Sequence, residues 1–128
     1  MDTKRRHEAL ISGIAQQFKP ILDGSEQGIY IYLDDAHKVC NERFAGLLGY
    51  ASAQEWAALP GPLLEAMVDT GSQEALVSAY RKAVERYLGS ALEVSWRKKG
   101  GGKVDTKVIL VPIVFETQPL ALHFVYQA

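Results

Sequence analysis

The sequence predicts an α+β domain, a five-stranded antiparallel sheet with helices on one face and an amphipathic helix at its N-terminus. Three observations carry this prediction. Apolar and aromatic residues alternate with period two at 29–33 and in three runs after residue 90. Between residues 41 and 88 the apolar residues recur instead at helical spacing. The strand connections are short, which forces antiparallel neighbours and gathers the helices onto one side of the sheet.

Along the chain, residues 3 to 19 place Leu10, Ile11, Ile14 and Phe18 on one helical face, with Lys4, Arg5, Gln16 and Gln17 between them. Pro20 ends or kinks that helix, because proline has no amide hydrogen, and Asp23, Gly24 and Ser25 form a turn. Residues 1–20 therefore make an N-terminal helix, and residues 21–128 make the domain. From Gly28, Ile29, Ile31 and Leu33 point to one face and Tyr30 and Tyr32 to the other. Asp34 and Asp35 close this strand, and Lys38, Val39 and Cys40 form a short return strand.

Asn41 has the position of an N-cap for a short helix carrying Phe44, Leu47 and Leu48. Gly49, Pro60, Gly61 and Pro62 break the segment that follows. Thr70 and Gln73 have the spacing of a capping box, Leu76, Tyr80, Val84 and Tyr87 form the stripe of a long helix, and Gly89 is its stop. Strands follow at 92–97, 104–115 and 120–126, joined through Gly100, Gly101 and Gly102 and then through Thr117, Gln118 and Pro119. Pro112 inside the second of these requires an edge position or a bulge.

Composition limits the function classes. The 128 residues are 48% hydrophobic and 23% charged, which suits one globular domain that buries a core without staples. A net charge of -1 argues against a nucleic-acid partner, and Lys4–Arg6 and Arg97–Lys99 are short enough to be solvated basic runs. The single cysteine, Cys40, excludes an intrachain disulfide, and no run reaches the roughly 18 apolar residues of a membrane span. A cytoplasmic protein without a membrane partner is expected.

Several local motifs then carry a family resemblance. They are Ile29-Tyr30-Ile31-Tyr32-Leu33-Asp34, then Val39-Cys40-Asn41, then Phe44-Ala45-Gly46-Leu47-Leu48-Gly49-Tyr50. After the long helix come Trp96-Arg97-Lys98-Lys99-Gly100-Gly101 and Val111-Pro112-Ile113. In this order they resemble the PAS family over residues 21 to 127. The turn between Asp34 and Asn41 holds six residues, about two fewer than the family commonly has, so it must be tight.

The resemblance implies a sensor or dimerisation module of signal transduction rather than an enzyme, working by protein–protein interaction and passing a bias to an effector domain or partner. The alternative it implies is a small-molecule sensor with a ligand in an interior cavity. The residues drawn into that interior are Ile31, Phe44, Leu48, Trp56, Leu64, Met67, Leu76, Tyr80, Trp96 and Phe124. Among them Tyr80 and Trp96 carry polar handles, although a fully packed core explains the same stripes. A homodimer is expected through Leu10, Ile11, Ile14, Phe18, Tyr30, Tyr32 and Val125, unless the N-terminal helix itself covers the outer sheet face.

The cofactor is unknown, and two cofactors of the family are disfavoured. Asn41-Glu42-Arg43-Phe44 is similar to the Asn-Cys-Arg-Phe run of its flavin photoreceptors, but residues 61–67, where their reactive cysteine lies, contain none. Haem-binding relatives commonly use a histidine on the long helix, and residues 72–88 have none. His123 should face opposite Leu122 and Phe124, and His7 and His37 are read as solvated. No metal site is expected: Asp34, Asp35, His37 and Cys40 crowd one turn, but their spacing matches no established ligand pattern. Gly100-Gly101-Gly102-Lys103 lacks the following hydroxyl residue and helix of a phosphate loop. Glu93 and Asp105 are the acids an α+β enzyme would use, and both are expected to be exposed.

Overall fold

A computed structural model describes residues 3–127. Two N-terminal helices, α1 (Thr3–Gln17) and α2 (Lys19–Gly24), precede the hairpin of β1 (Gly28–Asp34) and β2 (His37–Cys40). Helices α3 (Glu42–Leu47), α4 (Ala53–Ala57), α5 (Leu63–Met67) and α6 (Thr70–Arg86) follow. The chain ends in the meander β3 (Ser90–Arg97), β4 (Lys103–Phe115) and β5 (Gln118–Gln127). The five strands form one antiparallel sheet in the order β2-β1-β5-β4-β3, so β5 lies at its centre between β1 and β4. This is the α+β architecture that the periodicity predicts.

Each face of the sheet has its own core. Helices α3 to α6 cover one face over Tyr30, Phe44, Leu48, Trp56, Val94, Trp96 and Val125. The other face carries Ile29, Ile31, Leu120 and Leu122, covered by Ile14 and Leu22 of the N-terminal helices. Gly13 lets α1 approach closely, since a Cβ there would lie 3.3 Å from the Phe115 ring, which would have to give by a few tenths of an ångström. Pro20 starts α2 rather than simply ending α1, as suits a residue with no amide to satisfy.

The structure corrects the expected faces of β1 and β5. Ile31 and Phe124 lie under α1, away from the helical layer they were assigned to, whereas Tyr30 and Val125 lie beneath that layer. Register fixes this: Tyr30 pairs with His123, Ile29 with Phe124 and Ile31 with Leu122. Alternation separates two faces but carries no label for either when both are apolar. Aromatic volume decides it, since Tyr30 packs within 6 Å of the rings of Phe44, Trp56 and Trp96.

Several boundaries differ in chemistry from the sequence pattern. Asp69 is the residue before α6 and makes no side-chain cap, while Gln73 donates to the carbonyls of Leu64 and Val68, so no capping box forms. Tyr87, at φ 57°, ends α6 two residues before Gly89. Glu116 and Thr117, both at positive φ, make the β4–β5 turn, and Pro119 already pairs with Val114. The expected bend at Thr117, Gln118 and Pro119 thus sits one residue earlier. Pro112 does meet an edge: β3 pairs with β4 only as far as Leu110, and the Pro112 ring faces the open side near Gly89. The short first turn is accommodated by an irregularity between Tyr32 and Asp34.

Asn41 ties these layers together. Its side-chain oxygen accepts from the amides of Phe44 and Ile29, and its nitrogen donates to the carbonyls of Leu22 and Gln27. One buried side chain therefore caps α3 and pins both α2 and β1.

Candidate functional site

A pocket of about 290 Å³ lies between α6 and the centre of the sheet. Leu63, Leu64, Leu76, Val77 and Val84 line its apolar walls, and Tyr30, Tyr32, Tyr80 and His123 bring polar atoms to it. Exposed Arg81 and Glu85, one turn apart on α6, stand at its rim. The volume is near the lower end of the range for small-molecule sites and corresponds to roughly ten water volumes.

The polar floor is a stack of rings. Tyr30 and His123 lie nearly parallel with centroids 4.0 Å apart, and Tyr80 continues the stack at 6.2 Å from His123. His123 Nδ1 donates to the Tyr30 carbonyl at 3.2 Å, which places the ring proton on that nitrogen. Burial holds the imidazole neutral, with its pKa lowered to about 3. Burial also raises the Tyr30 phenol well above its usual range, and the nearby Tyr80 adds to this. Tyr80 donates its hydroxyl to the Tyr32 carbonyl at 3.3 Å, and Tyr32 donates to Asp35 at 2.8 Å. No such bond occupies the Tyr30 hydroxyl, yet no fully enclosed side-chain polar atom among the described residues lacks a partner. That hydroxyl is therefore not fully enclosed, and Tyr30 is one of the residues that line the pocket.

Of the ten residues drawn into the interior from sequence, Leu64, Leu76 and Tyr80 line this pocket. Phe44, Leu48, Trp56, Met67 and Trp96 are packed core. Trp96 is not a free handle, because its indole donates to Thr106 Oγ1, and Trp56 donates to Met67 Sδ. Tyr30 and Tyr32, expected at a dimer interface, line the pocket. His123 does face opposite Leu122 and Phe124, and its alternation in β5 was the available clue to its place beneath α6. Val77 and Val84 were missed because only the crossing of α6 over the sheet selects them, and Leu63 because its place depends on how α5 docks beside that helix.

A second polar group lies at the β1–β2 hairpin. Asp34 accepts from His7 at 2.5 Å and from His37 at 2.7 Å, with Ala36 N donating to it at 2.9 Å. Partial burial opposes ionisation of Asp34, but the two histidine contacts and the amide outweigh it and hold the carboxyl below its ordinary range. His7 and His37 are thus mostly buried and engaged, not solvated. Asp35 is turned away, accepting from Tyr32 and from Leu63 N. Cys40 is buried, with its thiol pushed up to about 12. Glu93 and Asp105 are exposed on β3 and β4.

On the outer face, Leu10 and Ile14 are buried against the same chain, and Ile11 and Phe18 are partly so. The N-terminal helix therefore shields the sheet itself. Ile109 and Val111 of β4 remain 36% and 38% exposed. No described helix is long and apolar enough to cross a membrane.

No protein-family model and no curated protein matches this chain. Among solved structures it is similar to the PAS domain of an HTR-like protein from Haloarcula marismortui, with 20% identity, 97% of this chain and 99% of that one covered, and a TM-score of 0.62. The PAS domain of a Colwellia psychrerythraea protein gives 22% identity, 90% and 97% coverage, and a TM-score of 0.66. A VqmA structure described as bound to DPO gives 10% identity, 88% and 57% coverage, and a TM-score of 0.63. The chain has the PAS fold.

Proposed function

We propose that this domain is a non-catalytic sensory module of signal transduction whose pocket beneath α6 takes a small, mainly apolar molecule with one polar group. The observation that carries this reading is the pocket itself, walled by Leu63, Leu76, Val77 and Val84 and floored by the rings of Tyr30, Tyr80 and His123. An apolar wall with a few convergent polar atoms is the usual make-up of such sites. PAS-fold structures of sensor histidine kinases and a VqmA structure described as bound to DPO support the class. Occupancy would bias the packing of α6 on the sheet, and that bias would pass to an effector domain or partner protein.

A native mass spectrum of the purified chain, beside that of Val84→Trp, tests this. Bound mass of a few hundred daltons in the first and none in the second is the expected result. A wild-type chain that neither carries nor takes up any small molecule from a chemically diverse library leaves only the interaction module.

Dimerisation is part of the proposal, on a different surface from the one expected from sequence. Ile109 and Val111, beside α1 on the outer face, are the apolar residues there left open to a second copy. Sedimentation of the wild type against Val111→Lys decides it: a dimer that becomes a monomer supports the surface, and an unchanged species rejects it.

A further inference from the structure

Three side chains from different parts of the chain meet where α1 crosses the first hairpin. His7 comes from α1, Asp34 from the end of β1 and His37 from the start of β2, and one ligand atom from each lies within 4.8 Å of the other two. We propose that His7, Asp34 and His37 form a binding site for a divalent transition-metal ion of the zinc class, which clips the N-terminal helix to the β1–β2 hairpin.

The donor set fits that class. Two imidazole nitrogens and one carboxylate oxygen match zinc, whereas calcium and magnesium require oxygens throughout. Three protein ligands leave a fourth position for water, and the side chains of His7, Asp34 and His37 are 18%, 37% and 10% exposed, so the group is reachable from solution.

The geometry is close to what an ion needs. His7 Nδ1 and His37 Nδ1 approach different oxygens of the one carboxylate, at 2.5 and 2.7 Å, and the two rings meet edge to face with centroids 5.8 Å apart. Metal–ligand bonds of about 2.1 Å place tetrahedral neighbours roughly 3.4 Å apart. Each nitrogen therefore has to draw back from the carboxylate by less than about 1 Å, and rotation of the Asp34 carboxylate, the most exposed of the three side chains at 37%, contributes to this. Each imidazole then ligates through Nδ1 with its proton on Nε2. The Ala36 amide, bonded to Asp34 Oδ1, keeps the carboxylate aimed at the two rings. Other acids nearby do not compete, because Asp35 is committed to Tyr32 and Leu63.

The inference is independent of the pocket and its occupant. Its test is a titration of the untagged full chain with Co²⁺, the visible-absorbing stand-in for zinc, in a non-coordinating buffer near neutral pH. The expected result is saturation at one equivalent, loss of the visible band on adding one equivalent of Zn²⁺, and at least tenfold weaker binding in His7→Ala and in His37→Ala. His7 lies on a helix surface, so His7→Ala should keep the wild-type circular dichroism spectrum. Zinc should also raise the melting temperature of the wild type but not that of His7→Ala. Binding by His7→Ala within twofold of wild type overturns the site. So does a wild-type chain that fails to hold Co²⁺ or Zn²⁺ at about 100 μM.

Discussion

Acid should destabilise this domain through His123, and replacing that residue with phenylalanine should remove the effect. His123 is fully enclosed between Tyr30 and α6, with its pKa lowered to about 3 by burial. In the unfolded chain the imidazole titrates near 6.5. Below that value the unfolded state takes up a proton that the folded state refuses, so stability is full above about pH 6.5 and falls as pH drops toward 3. Between pH 7 and pH 5 the difference amounts to about 2 kcal/mol. It is set almost entirely by the unfolded value, because the folded pKa lies far below this window. The assay is urea unfolding at the two pH values for wild type and His123→Phe, which retains a ring against Tyr30. The two proteins share every other side chain, so the comparison isolates the contribution of His123. The wild-type midpoint should fall further than that of the variant by about 1 M urea. Equal falls in the two proteins would refute a buried, neutral His123.

Other substitutions test the layers that hold the pocket. Asn41→Ala strips four backbone groups of their partner, three of those bonds buried and the one to Gln27 partly so, and should cost about 3 kcal/mol in urea unfolding; a loss below about 1 kcal/mol would mean that water replaces the side chain. Gly28→Ala places a Cβ 3.1 Å from both the Phe44 Cα and the Val125 carbonyl, backbone atoms that cannot swing aside. It should lower stability by about 1–3 kcal/mol, and an unchanged melting temperature would contradict that close approach. Cys40, its thiol raised to about 12 by burial, should react with a disulfide reagent at pH 8 only when the chain unfolds, so rapid reaction of the folded protein would oppose this placement.

Much of the architecture was legible because it is local. The order of elements, the cap at Asn41 and the edge at Pro112 each follow from a residue's own backbone chemistry and its near neighbours. The faces of β1 were not legible, since Ile29-Tyr30-Ile31-Tyr32 is apolar on both sides and the choice depends on which partner accommodates the aromatic rings. Thr70 and Gln73 have the spacing of a capping box, but Gln73 bonds back to α5 instead, a competition that only tertiary contact creates. His7 lies 27 residues from Asp34, so its meeting with the hairpin depends wholly on how α1 docks. The pocket was half legible: Leu76 and Tyr80 belong to a visible stripe, but His123 and Tyr30 join them only through the β1–β5 register.

The proposed function requires that the space beneath α6 bind a small molecule. Amide chemical-shift mapping of the isotope-labelled chain against a library of small, mainly apolar compounds tests it most directly. Saturable shifts should concentrate at Tyr30, Leu76, Tyr80, Val84 and His123 and be abolished in Val84→Trp. Shifts that scatter over the outer sheet face, or that persist in Val84→Trp, would contradict it.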